Sequence, residues 1–333
     1  MTKKQILHQL VTDNQVPEIL FAPILMHFAA RQIGKTYGEF ASNYRVLVDA
    51  NVNAVKNYGM DIASLISDPY RETSAFGAEI EFIDEGVPVC KTHVITGPED
   101  IKNLEIPDPL KKPRTLDRIL AGRELSGIFG DKIPIGGWIE GPLAEAVDLA
   151  GVSEMLMMLM TDPENAGLLM DKCLEFGKKF AKAQIEAGCD LMGMGDAISS
   201  QIDLSTYDQF VKERHKEIIS FIHEYGALVK LHICGDITHL LPSIKDVGAD
   251  IIDLDWQVDI NKARSILGPN PIITGNINPV IVQDKTPEEV YKVSRDLLES
   301  QKGKKFILSA GCEITVNTPV ENLLAMKKAA QES

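Results

Sequence analysis

Eight short apolar runs recur along this chain, separated by stretches with helical periodicity, and that alternation narrows the fold more than any other feature. The runs cover residues 23–28 (Pro23-Ile24-Leu25-Met26-His27-Phe28), 62–67, 133–138, 191–194, 228–233, 251–254, 272–275 and 306–308. Each has the length of a strand, and a run that is apolar throughout marks a strand buried on both faces, as in a parallel sheet. Ser205 to Tyr225 carries apolar residues near helical spacing behind an N-cap serine, and Thr286-Pro287-Glu288-Glu289 reads as the capped start of a helix reaching Ser300. Alternating strands and helices imply a parallel α/β fold, and eight such units in 333 residues are the arithmetic of a (β/α)₈ TIM barrel. A doubly wound sheet is the competing arrangement. No linker or repeat divides the chain, so residues 1–333 are expected to form a single domain. It would have an N-terminal extension and, after the second strand, a long proline-containing excursion from Phe76 to about Asp131 that could serve as a lid.

Charge excludes whole classes of partner. With 34 Lys and Arg against 48 Asp and Glu, the chain has a formal net charge of −14, the wrong sign for nucleic acid or an anionic membrane surface. No run approaches the ~18 apolar residues of a membrane span. The segment Met1 to Leu10 lacks the apolar core of a signal peptide. Five cysteines, an odd number without framework spacing, point to a reducing compartment, so a cytoplasmic location is expected.

In a barrel the reactive groups sit where strands end, and the polar or glycine residues at those positions are His27, Asp68, Glu140, Asp196, His232, Cys234, Asp255, Asn276 and Cys312. His232 and Cys234 are two apart on a strand and so share a face, and Cys312 ends the last strand between Gly311 and Glu313. Singly, each thiol reads as a small buried hydrophobe and His232 as a satisfied core histidine. Jointly they make a three-ligand zinc site with one exchangeable position, the pattern of a metal that binds a substrate. Asp255 is the candidate fourth ligand, with Glu313 as alternative. Thiolate ligands reduce the Lewis acidity of zinc, which suits holding a substrate thiolate better than activating water. Asp196 or Asp255 would accept the thiol proton. Gly193 and Gly195 would let a flat macrocycle approach the backbone, or simply turn the chain. His27, Gln201 and Asn276 are candidate cofactor- or substrate-binding residues. The run Met155 to Met160 suits core or a partner surface, and His93, His215, His223 and His239 read as surface or structural.

The blocks Leu231-His232-Ile233-Cys234-Gly235-Asp236, Gly275-Asn276-Ile277-Asn278-Pro279 and Gly311-Cys312-Glu313 through Asn317-Thr318-Pro319-Val320-Glu321-Asn322 resemble the uroporphyrinogen decarboxylase superfamily. Within it they are similar to the methylcobalamin:coenzyme M methyltransferase branch. That resemblance implies zinc on His232, Cys234 and Cys312, with Asp255 as a labile carboxylate. It also implies a thiol such as coenzyme M that takes a methyl group from methylcobalamin or from a corrinoid partner protein. Two segments lean the other way. Ala30-Arg31-Gln32-Ile33-Gly34-Lys35 resembles the arginine-rich segment of true uroporphyrinogen decarboxylases, with Lys35 in place of its second arginine, and Ser67-Asp68-Pro69 resembles the segment bearing their catalytic aspartate. The alternatives are therefore a metal-free tetrapyrrole decarboxylase centred on Asp68 and Arg31, a methyltransferase that charges the corrinoid from a methylated substrate, and a non-catalytic corrinoid or metal carrier.

Overall fold

The computed structural model describes residues 1–13 and 18–333. Its strands are β1 Leu20–Phe21, β2 Ala63–Ser64, β3 Ile80–Ile83, β4 Gly86–Cys90, β5 Ile135–Glu140, β6 Leu191–Gly195, β7 Leu228–Ile233, β8 Ile251–Leu254, β9 Ile272–Ile277 and β10 Phe306–Ala310. Eight of them form one sheet in the order β1-β10-β9-β8-β7-β6-β5-β2, and every pairing in it is parallel. The two ends of that sheet meet at Asp61. Its backbone N–H donates to the Phe21 carbonyl at 2.9 Å, and its Oδ2 accepts the Phe21 N–H at 2.8 Å. The sheet thus closes into the (β/α)₈ barrel that the alternation of runs predicts.

Seven of the eight expected strands lie within or overlap their apolar runs; the first does not. Residues 23–28 were the expected strand, but the ladder occupies Leu20–Phe21 and its last bond is Ala22 N–H to the Leu308 carbonyl at 3.0 Å. Pro23 has no N–H to continue it, and His27 instead opens the helix His27–Gln32. The helix expected to start at Ser205 is capped two residues earlier by Asp203, whose side chain accepts the Thr206 N–H. From there the chain runs through a π-helical turn at Tyr207–Val211 into Lys212–Glu224. The Thr286 cap is found as read, with a reciprocal bond to Glu289.

The excursion consists of the antiparallel pair β3–β4, a short helix Pro98–Asn103 and a longer helix Pro113–Phe129. The hairpin leans on the barrel rim: Tyr37 N–H donates to the Asp84 carbonyl at 2.8 Å, and Glu85 reaches the His27 imidazole at 3.3 Å. At the opposite end, the N-terminal helix Lys3–Thr12 buries Ile6, Leu7 and Leu10 against Leu20, Leu191, Ile251, Ile272 and Ile307, plugging the barrel floor. The methionine run divides across the helix Val152–Thr161: Met155 is fully buried, while Met157 and Met160 are exposed. None of the helices is long and apolar enough to cross a membrane among the described residues.

Strand periodicity sorts the interior into layers. Above the apolar floor, Trp138, Gly193, Lys230 and Thr274 line the barrel's central cavity. Two residues further along each strand, side chains on the same face reach the mouth. That parity carries Glu140, Gly195 and His232 upward, and the same spacing carries Asp253 to Asp255.

Candidate metal centre

The side chains of His232, Cys234 and Cys312 converge so that their ligand atoms all lie within 4.8 Å of one another. His232 and Cys234 reach that point from the end of β7, and Cys312 from the turn after β10. The approach depends on Gly311. A Cβ there would lie 2.2 Å from the Trp256 backbone nitrogen, so only glycine lets the β10 turn pass under the loop that follows β8.

A tetrahedral zinc with bonds of ~2.3 Å to sulfur and ~2.0 Å to nitrogen keeps its ligands roughly 3.5–3.8 Å apart. Two thiols and an imidazole within 4.8 Å of one another come close to that spacing. The three groups also interact directly: His232 Nε2 lies 3.1 Å from Cys234 Sγ. Hydrogen bonds from Cys234 and His232 hold the Cys312 thiol below its ordinary pKa, against the opposing effect of burial. Cys234 is pushed up, by its hydrogen bond to Cys312, by burial, and by the charges of Cys312, Asp255 and Asp253.

The other nitrogen of His232 faces a residue that the sequence reading passed over. Asp253, on β8 and paired in register with His232, places Oδ2 at 3.5 Å from Nδ1 and 3.0 Å from Lys230 Nζ. Burial pushes the imidazole pKa down, but Asp253 and Cys312 more than offset it, and the net shift is upward. A carboxylate behind the second ring nitrogen fixes which nitrogen faces a metal. Lys230 and Asp253 share the inward parity of His232 and Asp255, and that parity was the signal available in the sequence.

Asp255 stands outside the three-residue group. Its Oδ1 accepts the Gln257 N–H at 2.9 Å, although its charge is felt at Cys234. Asp196 is fully buried and engaged elsewhere, accepting the Ala144 N–H at 2.9 Å and contacting His215 Nε2 at 2.8 Å. It thus serves the start of the helix Pro142–Ala150. Gly193 and Gly195 do admit a flat ring, and that ring is the indole of Trp138: added Cβ atoms would lie 2.2 and 2.9 Å from it. Asn276 donates to the Asp255 and Val258 carbonyls at 3.1 and 2.7 Å, holding the loop that carries Asp255. His27 stacks on Tyr37, with ring centroids 5.2 Å apart, and its backbone N–H donates to Glu313 at 2.9 Å. Gln201 is exposed and bonds to Ser200.

The triad opens onto a pocket of about 150 Å³ with mainly apolar walls, among them Ile24, Met26, Ile66, Pro69 and Trp138. Asp68, Glu140 and Glu313 also line it. Asp68 is gripped by both terminal nitrogens of Arg114, at 3.0 and 2.7 Å. Burial would raise its pKa, but Arg114 and Arg71 outweigh it and bring it down to about 2. Arg31 donates to Asn317 at 2.8 Å, outside this pocket lining.

Residues 2–333 match the family profile described as uroporphyrinogen decarboxylase (URO-D). The chain belongs to the uroporphyrinogen decarboxylase family. It is 31% identical over 277 residues to a methylcobamide:CoM methyltransferase of Methanosarcina acetivorans, covering 82% of this chain and 80% of the relative. It is 28% identical over 301 residues to a uroporphyrinogen decarboxylase of Geobacter metallireducens, covering 87% and 86%. Among solved structures it is similar to a methyltransferase from Methanosarcina mazei, with a TM-score of 0.92 at 22% identity over 100% and 99% of the two chains, which shows the shared fold. This family contains both methyltransferases and decarboxylases.

Proposed function

We propose that this member of the family is a zinc-dependent methyltransferase that moves a methyl group from a methylated corrinoid, held on a partner protein, to a small thiol. The observation that carries the reading is the convergence of His232, Cys234 and Cys312 at the barrel mouth. His232, Cys234 and Cys312 would hold the zinc, and Asp255, one loop away, is the candidate for a displaceable fourth ligand. When bound, the metal supplies one thing: it keeps a substrate sulfur as thiolate at neutral pH. The remaining work belongs to the chain. Asp253 orients the His232 ring, Gly311 admits the Cys312 turn, and the apolar walls exclude water from the sulfur. The thiol gives up its proton to bulk water as it binds, a carbon–sulfur bond forms, and the cobalt–carbon bond breaks with its electron pair left on cobalt as Co(I).

The decarboxylase reading needs Asp68 to meet a tetrapyrrole, yet both oxygens of that carboxylate are engaged by Arg114. The methyltransferase reading is tested by zinc content and by anaerobic demethylation of methylcobalamin with added thiol. About one zinc per chain, with both zinc and thiol-dependent demethylation lost in Cys234→Ala while the fold persists, is the expected result. A zinc-free protein that consumes uroporphyrinogen would overturn it.

A further inference from the structure

The charge pattern of the pocket is informative about its small substrate. Among the described residues no lysine or arginine lines it, whereas Asp68, Glu140 and Glu313 do. The two nearby guanidiniums are already engaged. Arg114 is bidentate on Asp68, and Arg71, fully buried, donates to Glu140 Oε1 at 3.0 Å and to Ser67 at 3.3 Å. Lys230 sits below the indole of Trp138, paired with Asp253 at 3.0 Å.

Glu140 is the residue with something left to offer. Its side chain is 10% exposed, and both of its donors, Trp138 Nε1 and Arg71 Nη2, land on Oε1 at 3.0 Å. Oε2 has no hydrogen-bond partner among the described residues and lies over Gly195, which is itself part of the pocket wall. Behind it lie Glu72, Glu145 and Asp148, and burial pushes the pKa of Glu140 and of all three up, so the cluster is short of positive charge rather than rich in free anions. An unpaired carboxyl oxygen beside an indole and a ring of apolar side chains is the composition that receives an organic cation, whose charge would draw the acid into its ionised form. Among the described residues the pocket lining offers no free cation to pair a sulfonate, phosphate or second carboxylate.

We infer that the thiol substrate of this pocket carries a cationic group at the end away from its sulfur, and that Glu140 selects it. The inference rests on the thiol reading above and narrows it away from 2-mercaptoethanesulfonate, coenzyme M.

Three two-carbon thiols differing only in their far end test this: thiocholine, 2-mercaptoethanol and 2-mercaptoethanesulfonate. Their binding to the zinc-loaded protein is measured anaerobically by titration calorimetry. Thiocholine should bind tightest and the sulfonate weakest, with a spread of about tenfold or more. In Glu140→Gln, nearly isosteric, that spread should shrink to within about threefold, mainly through weaker thiocholine binding. Tightest binding by either other thiol overturns the inference and leaves thiol methylation standing. Binding by none of the three overturns both. An undiminished preference in Glu140→Gln removes the assignment to Glu140.

Discussion

Replacing Asp253 with asparagine removes the charge behind His232 while keeping the side chain's size. The carboxylate oxygen lies 3.5 Å from Nδ1, and the residue is 1% exposed. At an effective dielectric near 20, a full charge pair at that distance is worth about 5 kcal/mol. The same oxygen also lies 3.0 Å from Lys230 Nζ, which neutralises part of its field. What remains is the effect of orienting and enriching the imidazole, for which comparable losses run ~10–100-fold in metal affinity. With Lys230 competing, Asp253→Asn is expected to weaken zinc binding by roughly 10–30-fold, about 1.4–2 kcal/mol. Competition against a chromophoric zinc chelator at fixed pH reads this directly, and far-UV circular dichroism checks that the barrel survives. Zinc affinity within about twofold of the parent protein, with the fold intact, would refute the positioning role given to Asp253.

Two further substitutions probe the barrel around the site. Gly193→Ala places a Cβ 2.2 Å from the Trp138 ring, so the indole must move. A loss of ~1–3 kcal/mol in chemical denaturation, with a shifted tryptophan emission maximum, is expected, whereas unchanged values would show that the ring is not held there. Asp148→Asn tests the buried acids: burial, and then the charge of Glu72, push the Asp148 carboxyl up to about 8. Because the folded value exceeds the unfolded one, the native state holds a proton that the unfolded chain releases, and stability falls as pH rises from ~4 to ~8. The asparagine variant should therefore gain stability relative to the parent at pH 8, by up to a few kcal/mol, and little at pH 4. Urea midpoints at the two pH values decide it.

The convergence of His232, Cys234 and Cys312 was legible in the sequence because its signal is local. His232 and Cys234 share a strand face two residues apart, and Cys312 ends a strand that any barrel must bring alongside. The first strand was not, because only two residues of it pair and the apolar run continues past Pro23 into a loop and a helix. Asp253 and Lys230 had the correct parity, but their pairing depends on cross-strand register, which no single segment displays. The roles of Glu140 and Arg71 depend on a contact spanning 69 positions. Asp196 and Asn276 sat where catalytic residues sit, yet the structure engages both in holding backbone, a use that carries the same sequence signal.

The closure at Asp61 gives this barrel a buckle. Elsewhere neighbouring strands share a ladder, but β1 and β2 meet through one residue, beside the central cavity, which Ala22, Leu25, Ala29, Ala54 and Met60 also line. Lys3 from the first helix and Lys327 from the last grip the same carboxylate, at 3.1 and 2.9 Å. The two outermost helices therefore act as the tongue and strap of one fastening. Shortening either would loosen the circumference of the barrel rather than fray an end, and amide protons across this seam would exchange with solvent before those of the opposite wall.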